Sequence, residues 1–370
     1  MEAKRKVIYF CVTNDLSTDQ RMQKICTSLS VAGYEVHLIG RKLTNSLSIN
    51  IEGVFCHRMS LIFTKGKLFY LEYNLRLFIF LLFRRFDAVC AIDLDSISAA
   101  FLVGVIRRKK KIYDAHEYFT EVPELEGRPF SKSIWEWVGR RFVHKSNLAY
   151  SVGPQLAEVL SQKYGFPFEV IRNVSRYREF TENRQIKTAP YILMYQGVLN
   201  EGRGLGEIIQ SLEQLSDCQL WIAGDGVLLG ELKEIAEKAS VSTRVRFLGK
   251  ISPYELPAIS RQAFIGLNLL RADSLNYYYS LANKFYDYQM VGIPSINMNF
   301  PEYKSANEQF RSSLLINTLD PIDIAVAVKS LIEDPALYAA LQENGLAASK
   351  VMNWELESQK LVTIYQKLWI

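Results

Sequence analysis

The sequence contains few of the residues from which disulfide frameworks and metal sites are built. Only four histidines and five cysteines occur in 370 residues. The cysteines are dispersed and form no Cys-x-x-Cys pair: Cys11, Cys26, Cys56, Cys90 and Cys218. An odd, scattered set of thiols is typical of a reducing, cytoplasmic compartment and argues against a disulfide scaffold. Because there is no His/Cys cluster, and no Asp-x-Asp triad beside the phosphate site proposed below, we predict that no metal is bound.

Long apolar runs and a strong charge of one sign are also absent. The most apolar window, residues 68–83, contains Glu72 and Arg76 and is shorter than the ~20 residues of a membrane-spanning helix. The apolar run at residues 7–12 is too short for the core of a signal peptide. The formal net charge is +5, which is too small to indicate nucleic acid but suits a phosphate-bearing ligand or an anionic membrane.

Short apolar strands alternate with helical patterns along the whole chain. A chain of 370 residues is longer than one core usually holds, so two domains are expected. The alternation covers residues 1–172, is interrupted by the polar segment 173–190, which we interpret as a linker, and resumes over residues 191–353. Continuous apolar strands bounded by helices predict parallel sheets covered on both faces. The predicted fold class is α/β, with two Rossmann-like, doubly wound parallel-sheet domains facing a central cleft.

The last segment, residues 354–370, is an amphipathic helix in which Trp354, Leu361, Tyr365 and Leu368 share one face. It either packs within the second domain or crosses back to brace the first. The pattern alone leaves both arrangements open.

Two segments of the second domain together predict a nucleotide-diphosphate site. Arg203 lies between two glycines after a strand, and some eighty residues later the run 280–287, Ser-Leu-Ala-Asn-Lys-Phe-Tyr-Asp, passes into a helix. A helix start offers free N–H groups and a positive dipole end to phosphate. A guanidinium bridges two phosphate oxygens, so we predict Arg203 as a catalytic, diphosphate-binding residue, with an exposed loop arginine as the alternative.

The helix start supplies the other predicted donor-binding residues. The backbone amides of Ser280, Leu281 and Ala282 are expected to face the phosphates. Asn283 and Asp287 lie four positions apart and point to one side of the helix. Lys284 faces either the phosphates or solvent, and Asp287 is either a ligand of ribose hydroxyls or a solvated surface carboxylate.

Polar residues also follow the strands of the first domain. Asp15, Asp19 and Arg21 occupy the first strand–helix connection; we interpret them as acceptor-side residues, but helix capping explains such aspartates equally well. Asp93 follows another strand and is also assigned to the acceptor side; a carboxylate there could serve as a general base for an inverting attack. His116 follows a third strand, close to Asp114.

The order and spacing of many short motifs resemble the family 4 glycosyltransferases of the GT-B fold. The likeness extends over nearly the whole chain, through residues 13–21, 33–36, 113–117, 151–154, 196–197, 203–205, 223–226, 245–249, 283–288, 292–294 and 353–355. The resemblance implies a retaining enzyme that moves a sugar from a nucleotide donor without a bound metal or other cofactor. It also implies that the last helix crosses back to the first domain.

The resemblance assigns roles to individual positions. It implies that Asp287 holds the ribose, that Gly197 and the main chain of Lys250 and Ile251 belong to the donor site, and that His116 is a catalytic residue bonded to a donor-sugar hydroxyl. A histidine that caps a turn is the alternative for His116. Two departures from the family pattern stand out: the first of two paired glutamates is missing near Tyr279 or Ser280, and Val198 or Leu199 replaces an arginine.

Basic and aromatic residues are interleaved between residues 61 and 111. Such a mixture on helices seats proteins on anionic membranes, whereas a core helix with a solvated charged face is the alternative. The combined prediction is a cytoplasmic glycosyltransferase, peripheral to the inner face of the membrane, that uses a glycan or lipid-linked acceptor in bacterial-type surface polysaccharide synthesis. The rival hypotheses are a GT-B sugar-nucleotide epimerase and a non-catalytic nucleotide-sugar-binding partner.

Overall fold

The computed structural model describes residues 5–180 and 187–370. These form two compact units. Unit 1 contains the chain up to Asn173 together with Glu357–Ile370, and unit 2 contains Val174–Leu356. Residues 181–186 of the predicted linker lie outside the described residues.

Unit 1 is built on a seven-stranded parallel sheet. Its strands are β1 (Val7–Asp15), β2 (Glu35–Lys42), β3 (Val54–Ser60), β4 (Ala88–Ile92), β5 (Lys110–Ala115), β6 (Leu148–Ser151) and β7 (Glu169–Val170). They are ordered β3-β2-β1-β4-β5-β6-β7, and every pairing is parallel. The helices are α1 (Gln20–Val31), α2 (Gly66–Leu82), α3 (Asp93–Ile106), α4 (Pro129–Phe142) and α5 (Pro154–Tyr164). This order reverses direction at β1, as in doubly wound sheets that bind ligands beyond the carboxyl ends of their strands.

The fully buried strand β4 determines where the polar residues of unit 1 lie. All five of its residues, from Ala88 to Ile92, are apolar and buried, as expected for a central parallel strand covered on both faces. β4 pairs with β1 on one side and with β5 on the other. The residues that follow these three strands therefore meet at one edge of the sheet.

The end of the chain is packed within unit 1. The last helix, α14, spans Trp354–Lys367, and its residues from Glu357 onward belong to unit 1. Tyr365 is fully buried, its ring lies 6.2 Å from that of Phe10, and its hydroxyl lies 3.1 Å from that of Tyr150. The apolar face of this amphipathic segment thus completes the core of unit 1.

Unit 2 is a second doubly wound domain with a six-stranded parallel sheet. Its strands are β8 (Tyr191–Gln196), β9 (Cys218–Ala223), β10 (Val245–Gly249), β11 (Ile265–Asn268), β12 (Ser295–Met298) and β13 (Ser313–Ile316). They are ordered β10-β9-β8-β11-β12-β13, and all pairings are parallel. The helices before α14 are α6 (Leu205–Ser211), α7 (Leu229–Lys238), α8 (Leu256–Ser260), α9 (Leu275–Tyr278), α10 (Asn283–Val291), α11 (Pro301–Phe310), α12 (Pro321–Glu333) and α13 (Pro335–Val351). Five single turns of 3₁₀ helix, at residues 119–121, 123–125, 143–145, 212–214 and 242–244, complete the described elements.

Helix α10 is fixed against the sheet by Tyr288. This side chain is fully buried, and its hydroxyl donates to the carbonyl oxygen of Met194 at 3.0 Å. A Cβ atom at Gly266 would collide with the Tyr288 ring, so the glycine allows the helix to approach β11 closely. The start of α10 is thereby held at the carboxyl end of β8.

Candidate functional site

Three loops that follow neighbouring strands of unit 2 are joined by backbone hydrogen bonds. The N–H of Gly197, after β8, donates to Ala223 at 2.9 Å, and the N–H of Gly224, after β9, donates to Gly249 at 2.8 Å. Gly197 and Gly224 have φ angles of +136° and +155°, which favour glycine. A Cβ atom at Gly224 would also collide with the carbonyl group of Gly197. The result is a rigid floor at the carboxyl ends of β8, β9 and β10.

Arg203 is held beside this floor by an aromatic ring. Its guanidinium carbon lies 5.3 Å from the ring centroid of Tyr277, and the Tyr277 hydroxyl donates to the carbonyl oxygen of Glu201 at 3.2 Å. Gly202 has a φ of +75°, and a Cβ atom there would lie 2.5 Å from the Tyr277 ring. The two glycines that flank Arg203 in the sequence thus permit a turn that presses the loop onto Tyr277.

Lys284 is the most unusual charged residue of unit 2. It is only 5% exposed, yet its ammonium nitrogen has no hydrogen-bond partner among the described residues. Nζ lies 3.8 Å from the centroid of the Tyr195 ring and would lie 3.6 Å from a Cβ atom at Gly197. Burial first, and then the positive charge of Arg203, lower the pKa of Lys284 well below its ordinary value.

The negative charge of Asp287 acts on Lys284 and raises its pKa, but this effect is smaller than the lowering by burial and by Arg203. No ion pair in the described parts of the chain includes Arg203 or Lys284, and the Nε atom of Arg203 is buried without a partner. Buried charges in proteins are usually paired, because an unpaired charge loses its hydration. An arginine and a buried lysine held together in this way are the groups of unit 2 that suit an anionic ligand.

Two of the three backbone amides before α10 that are predicted to face the phosphates donate hydrogen bonds within the protein. The N–H of Ser280 donates to the carbonyl oxygen of Tyr277, and the N–H of Ala282 is bonded to the hydroxyl of Tyr303 at 3.0 Å. Both groups therefore have partners within unit 2. Leu281 is buried. Helix α10 begins at Asn283, with no side chain capping its start, so the positive end of the helix lies at the two residues Asn283 and Lys284.

Asp287 lies one turn into α10 and connects several elements of unit 2. One carboxylate oxygen accepts a hydrogen bond from the hydroxyl of Ser175, and the other accepts from the amide of Gln196 at 2.7 Å. Gln196 in turn accepts from Ser260 at 3.0 Å. These bonds fix the orientation of the Asp287 carboxylate, and its predicted role as a ribose ligand stays a prediction. Asn283, on the same side of the helix, is exposed.

Lys250 and Ile251 follow β10 at the edge of the same floor. The side chain of Lys250 is 83% exposed, and its nitrogen lies 3.8 Å from Asp225. Ile251 is partly buried and packs against the apolar cluster that includes Met194, Ala223 and Tyr288. The assignment of both residues to the donor site stays a prediction from the resemblance.

In unit 1, His116 is placed among carboxylates at the ends of β4 and β5. Its Nε2 atom lies 3.0 Å from Asp114, its Nδ1 atom lies 3.9 Å from Asp93, and its backbone N–H donates to Asp93 at 2.9 Å. Burial lowers the pKa of His116, but the charge of Asp114 and its hydrogen bond to the ring outweigh burial and raise the pKa to about 9. The imidazole is therefore an imidazolium at neutral pH, and it directs its better-placed nitrogen to Asp114 instead of a sugar hydroxyl.

Two aspartates beside His116, Asp93 and Asp95, have raised pKa values, so their environment favours the neutral form. Asp93 has a φ of +53°, a conformation that is uncommon outside glycine, and burial raises its pKa well above the ordinary value. Burial likewise raises the pKa of Asp95 to about 7, although its carboxylate accepts from Thr13 at 2.5 Å. The strained Asp93 and the two shifted carboxyl groups make this edge the candidate acceptor side of unit 1.

The other predicted acceptor-side residues have clear structural contacts. Asp19 caps α1 by accepting from the N–H of Met22 at 3.0 Å. Arg21 is buried, pairs with Asp114 at 3.0 Å and donates to the carbonyl oxygen of Ile171 at 3.1 Å. Asp15 accepts from Ser17 and Ser46 and pairs with Arg58. Helix capping thus accounts for Asp19, whereas Asp15 and Arg21 form ion pairs with residues distant in sequence, Arg58 and Asp114.

Sequence reasoning missed the aromatic residues that support the cations. The ring of Tyr195 contacts Lys284, and the ring of Tyr277 contacts Arg203. The hydroxyl of Tyr303 accepts a hydrogen bond from the Ala282 N–H, which was predicted to face the phosphates. The position of Tyr195 at the end of β8, two residues before Gly197, was a usable signal, because that strand leads into the site. The other two required the tertiary structure. No group of three or more potential metal-ligating side chains is found in the described ranges.

Comparisons with known proteins agree with the predicted resemblance. Residues 177–347 match the family described as Glycosyl transferases group 1. A glycogen synthase of Mycobacterium tuberculosis is 26% identical over 226 residues, 59% of this chain and 50% of that protein. The lipopolysaccharide core biosynthesis glycosyltransferase LpsD of Rhizobium meliloti is 23% identical over 184 residues, 48% of this chain and 50% of that protein. The chain thus spans about half the length of these curated relatives.

A solved structure shows the same fold over nearly the full chain. The Anabaena protein HepE, in complex with UDP and glucose, superposes with a TM-score of 0.73 at 14% identity and covers 97% of this chain and 99% of its own. The predicted α/β fold with two doubly wound parallel sheets, the GT-B fold, is confirmed. The resemblance to family 4 glycosyltransferases is confirmed as well.

Proposed function

We propose that the protein, whose residues 177–347 match the family described as Glycosyl transferases group 1, transfers a sugar from a nucleoside-diphosphate donor to a glycan or lipid-linked acceptor. The observation that carries the proposal is the pair of cations Arg203 and Lys284, of which Lys284 is buried without a hydrogen-bond partner in the described structure. A diphosphate supplies negative charge to both groups.

The proposed reaction proceeds with retention and without a bound metal. The bond between the anomeric carbon and the β-phosphate oxygen breaks, and its electron pair stays on the leaving diphosphate. The acceptor oxygen attacks the anomeric carbon from the same face and gives its proton to that phosphate oxygen. No dedicated base is then required. Stabilising the developing charge is the main task of the protein, and each well-placed donor contributes about 3–4 kcal/mol.

Arg203 and Lys284 perform that task from two directions. The guanidinium of Arg203, supported by Tyr277, is suited to bridging two phosphate oxygens. The ammonium of Lys284 gains hydrogen-bond acceptors only when the phosphate arrives. The start of α10 adds the positive end of its dipole, and Asp287, already oriented by Gln196, accepts from the ribose hydroxyls.

The setting of the reaction is also part of this proposal. The similarity to LpsD, whose name refers to lipopolysaccharide core biosynthesis, supports surface polysaccharide synthesis. A lipid-linked acceptor would place the protein in the cytoplasm at the inner face of the membrane, and the region 61–111 provides the surface discussed below. The complex of HepE with UDP and glucose supports a UDP-sugar as the first donor to test.

A panel of nucleotide sugars tests the proposal. We expect slow release of free nucleotide from one donor, without isomerisation of that donor, and faster release when an acceptor is added. Arg203→Ala should lower kcat by at least about 100-fold, as for other groups that stabilise transition-state charge, and Lys238→Ala, an exposed lysine of α7, should leave it unchanged. Isomerised donor would indicate an epimerase, and tight binding without turnover a non-catalytic partner; either result would contradict the proposal.

A further inference from the structure

Helix α2 of unit 1 is apolar on two opposite faces. The inner face, Phe69, Tyr73, Leu77 and Leu81, is buried in unit 1. On the outer face, Leu68, Leu71, Leu75 and Ile79 are 52%, 67%, 59% and 50% exposed. A helix at a protein surface normally has polar residues on its outer face. The outer residues of α2 recur at intervals of three or four, so they form a continuous stripe, and such a stripe marks an interaction surface.

The polar residues within the stripe neutralise each other. Glu72 pairs with Arg76 at 2.8 Å, and its carboxylate also accepts from the N–H groups of Ile62 and Phe63 at 3.0 and 2.9 Å. The single acidic side chain of the segment 61–86 is therefore tied to the preceding loop. It does not project freely toward an approaching partner.

The exposed apolar surface continues beyond α2. Arg107, at the end of α3, donates to the carbonyl oxygens of Leu82 and Arg84, so the end of α3 lies beside the end of α2. There, Leu102, Val105 and Ile106 are 45%, 53% and 58% exposed. At the other end of α2, the nitrogen of Lys67 lies 4.5 Å from the ring centroid of Phe130, which is 67% exposed. We call the α2 stripe with these residues the α2 surface.

The charges around the α2 surface are almost all positive. The segment 61–86 has five basic residues, Lys65, Lys67, Arg76, Arg84 and Arg85, against the one acidic residue Glu72. A run of five further cations, residues 107–111, follows α3. An apolar stripe bordered by lysine and arginine complements a membrane surface of anionic lipids. A second copy of the chain would bring two positive borders together, and like charges across an interface oppose association.

We propose that the α2 surface docks the protein on an anionic lipid bilayer, with the leucine stripe inserted at the level of the headgroups and the basic border against the lipid phosphates. No described helix is long and apolar enough to cross a bilayer. The biological reason for the contact rests on the proposed transfer to a lipid-linked acceptor. The surface itself is defined without reference to the sugar chemistry.

Vesicle sedimentation with the full chain tests the proposal. Vesicles of phosphatidylglycerol mixed with phosphatidylcholine are compared with vesicles of phosphatidylcholine alone. We expect binding to the anionic vesicles, weakened by salt because surface charges are screened, and little binding to the neutral ones. Replacing Leu71 and Leu75 together by glutamine should weaken binding by at least about tenfold, since several buried side chains contribute to such contacts. Arg84→Gln with Arg85→Gln should weaken it comparably.

Matched variants in unit 2 separate docking from general effects. Ile322 and Val326 of α12 are each 60% exposed and are also four residues apart, so their double change to glutamine is the apolar control. Lys233→Gln with Lys238→Gln is the charge control. Both controls should bind vesicles like the unchanged protein, and all four variants should retain nucleotide release in the absence of lipid.

Three outcomes would overturn the proposal. Binding that is unaffected by the leucine changes would show that the stripe does not insert. Equal binding to neutral and anionic vesicles would show that the basic border does not contribute to docking. A dimer in light scattering that the leucine changes dissociate would identify the stripe as a self-interface. Vesicle binding requires no turnover, so Arg203→Ala should bind vesicles normally even if it is inactive, and failure of the proposed function would be recognised separately.

Discussion

Lys284→Met should make the free protein more stable and its nucleotide binding weaker. The ammonium of Lys284 is removed from water without a hydrogen-bond acceptor in the described structure, and burial lowers its pKa. Methionine has a similar length and needs no hydrogen bond. The free protein therefore loses a buried amine whose charged form is unfavourable, whereas the complex loses a cation next to the diphosphate.

The two effects have different magnitudes. A hydrogen bond to a charged group contributes about 1.5–3 kcal/mol, so the affinity for a nucleotide sugar should fall roughly 10- to 150-fold. In the free protein, the contact of the ammonium with Tyr195 at 3.8 Å offsets part of the desolvation cost, because cation–π contacts contribute about 0.5–2 kcal/mol. A net gain of about 0.5–2 kcal/mol is in the range of other exchanges of function for stability. For a domain of this size, that gain raises Tm by roughly 1–8 °C.

Titration calorimetry with UDP-glucose and thermal unfolding of the free protein measure the two effects. Lys238→Met, on the exposed side of α7, removes the same charge and should change neither quantity by much. If Lys284→Met instead lowers Tm and leaves the affinity unchanged, the lysine is a structural residue, and the reasoning from its lack of a partner is refuted.

Two further predictions concern pH. A bound diphosphate should raise the lowered pKa of Lys284, so binding of UDP-glucose should take up a proton and should weaken as the pH rises. Calorimetry in buffers of different ionisation enthalpy detects this uptake, which Lys284→Met should abolish. In unit 1, the folded-state pKa values of Asp95, about 7, and His116, about 9, both lie above the unfolded values of about 3.9 and 6.5. At these two groups the unfolded state binds fewer protons than the folded state between pH 4 and 9, so their contribution to the free energy of unfolding should decrease across this range. In denaturant titrations, Asp95→Asn should flatten the decrease below pH 7 and His116→Gln the decrease above it; unaltered slopes in both variants would contradict the assignment.

The fold could be predicted from the sequence because its elements are locally encoded. The continuous apolar run that became β4 and the alternation of strands with helices already specify parallel sheets. The start of α10 at Asn283 also follows closely from the irregular run before it. Such patterns depend on residues that are near one another in the chain, and the spacing of apolar residues in the sequence indicates the helix or strand that they form.

The site was less predictable because its partners come from distant positions. Arg203, Lys284 and Asp287 could be selected by residue type, but the pairing of Asp287 with Gln196 and Ser175 spans 91 and 112 residues. The hydrogen bond from the Ala282 N–H to the Tyr303 hydroxyl likewise depends on how α11 packs. In unit 1, the sequence did not distinguish acceptor binding from capping at Asp19, and only the observed bond to Met22 shows which contact it makes.

The position of Lys284 also accounts for a departure from the family pattern. The resemblance implies an arginine shortly after Gly197, where this chain has Val198 and Leu199; Leu199 is buried in the core and Val198 is 50% exposed. Lys284 approaches the same turn from α10, with its nitrogen 3.6 Å from where a Cβ atom of residue 197 would lie. The second positive charge beside the floor of the site is thus present, but it comes from a different element. Lys284 is buried and has lost its hydration, whereas an arginine at the exposed position 198 would keep it. The protonation of Lys284 therefore depends on whether an anionic ligand is bound.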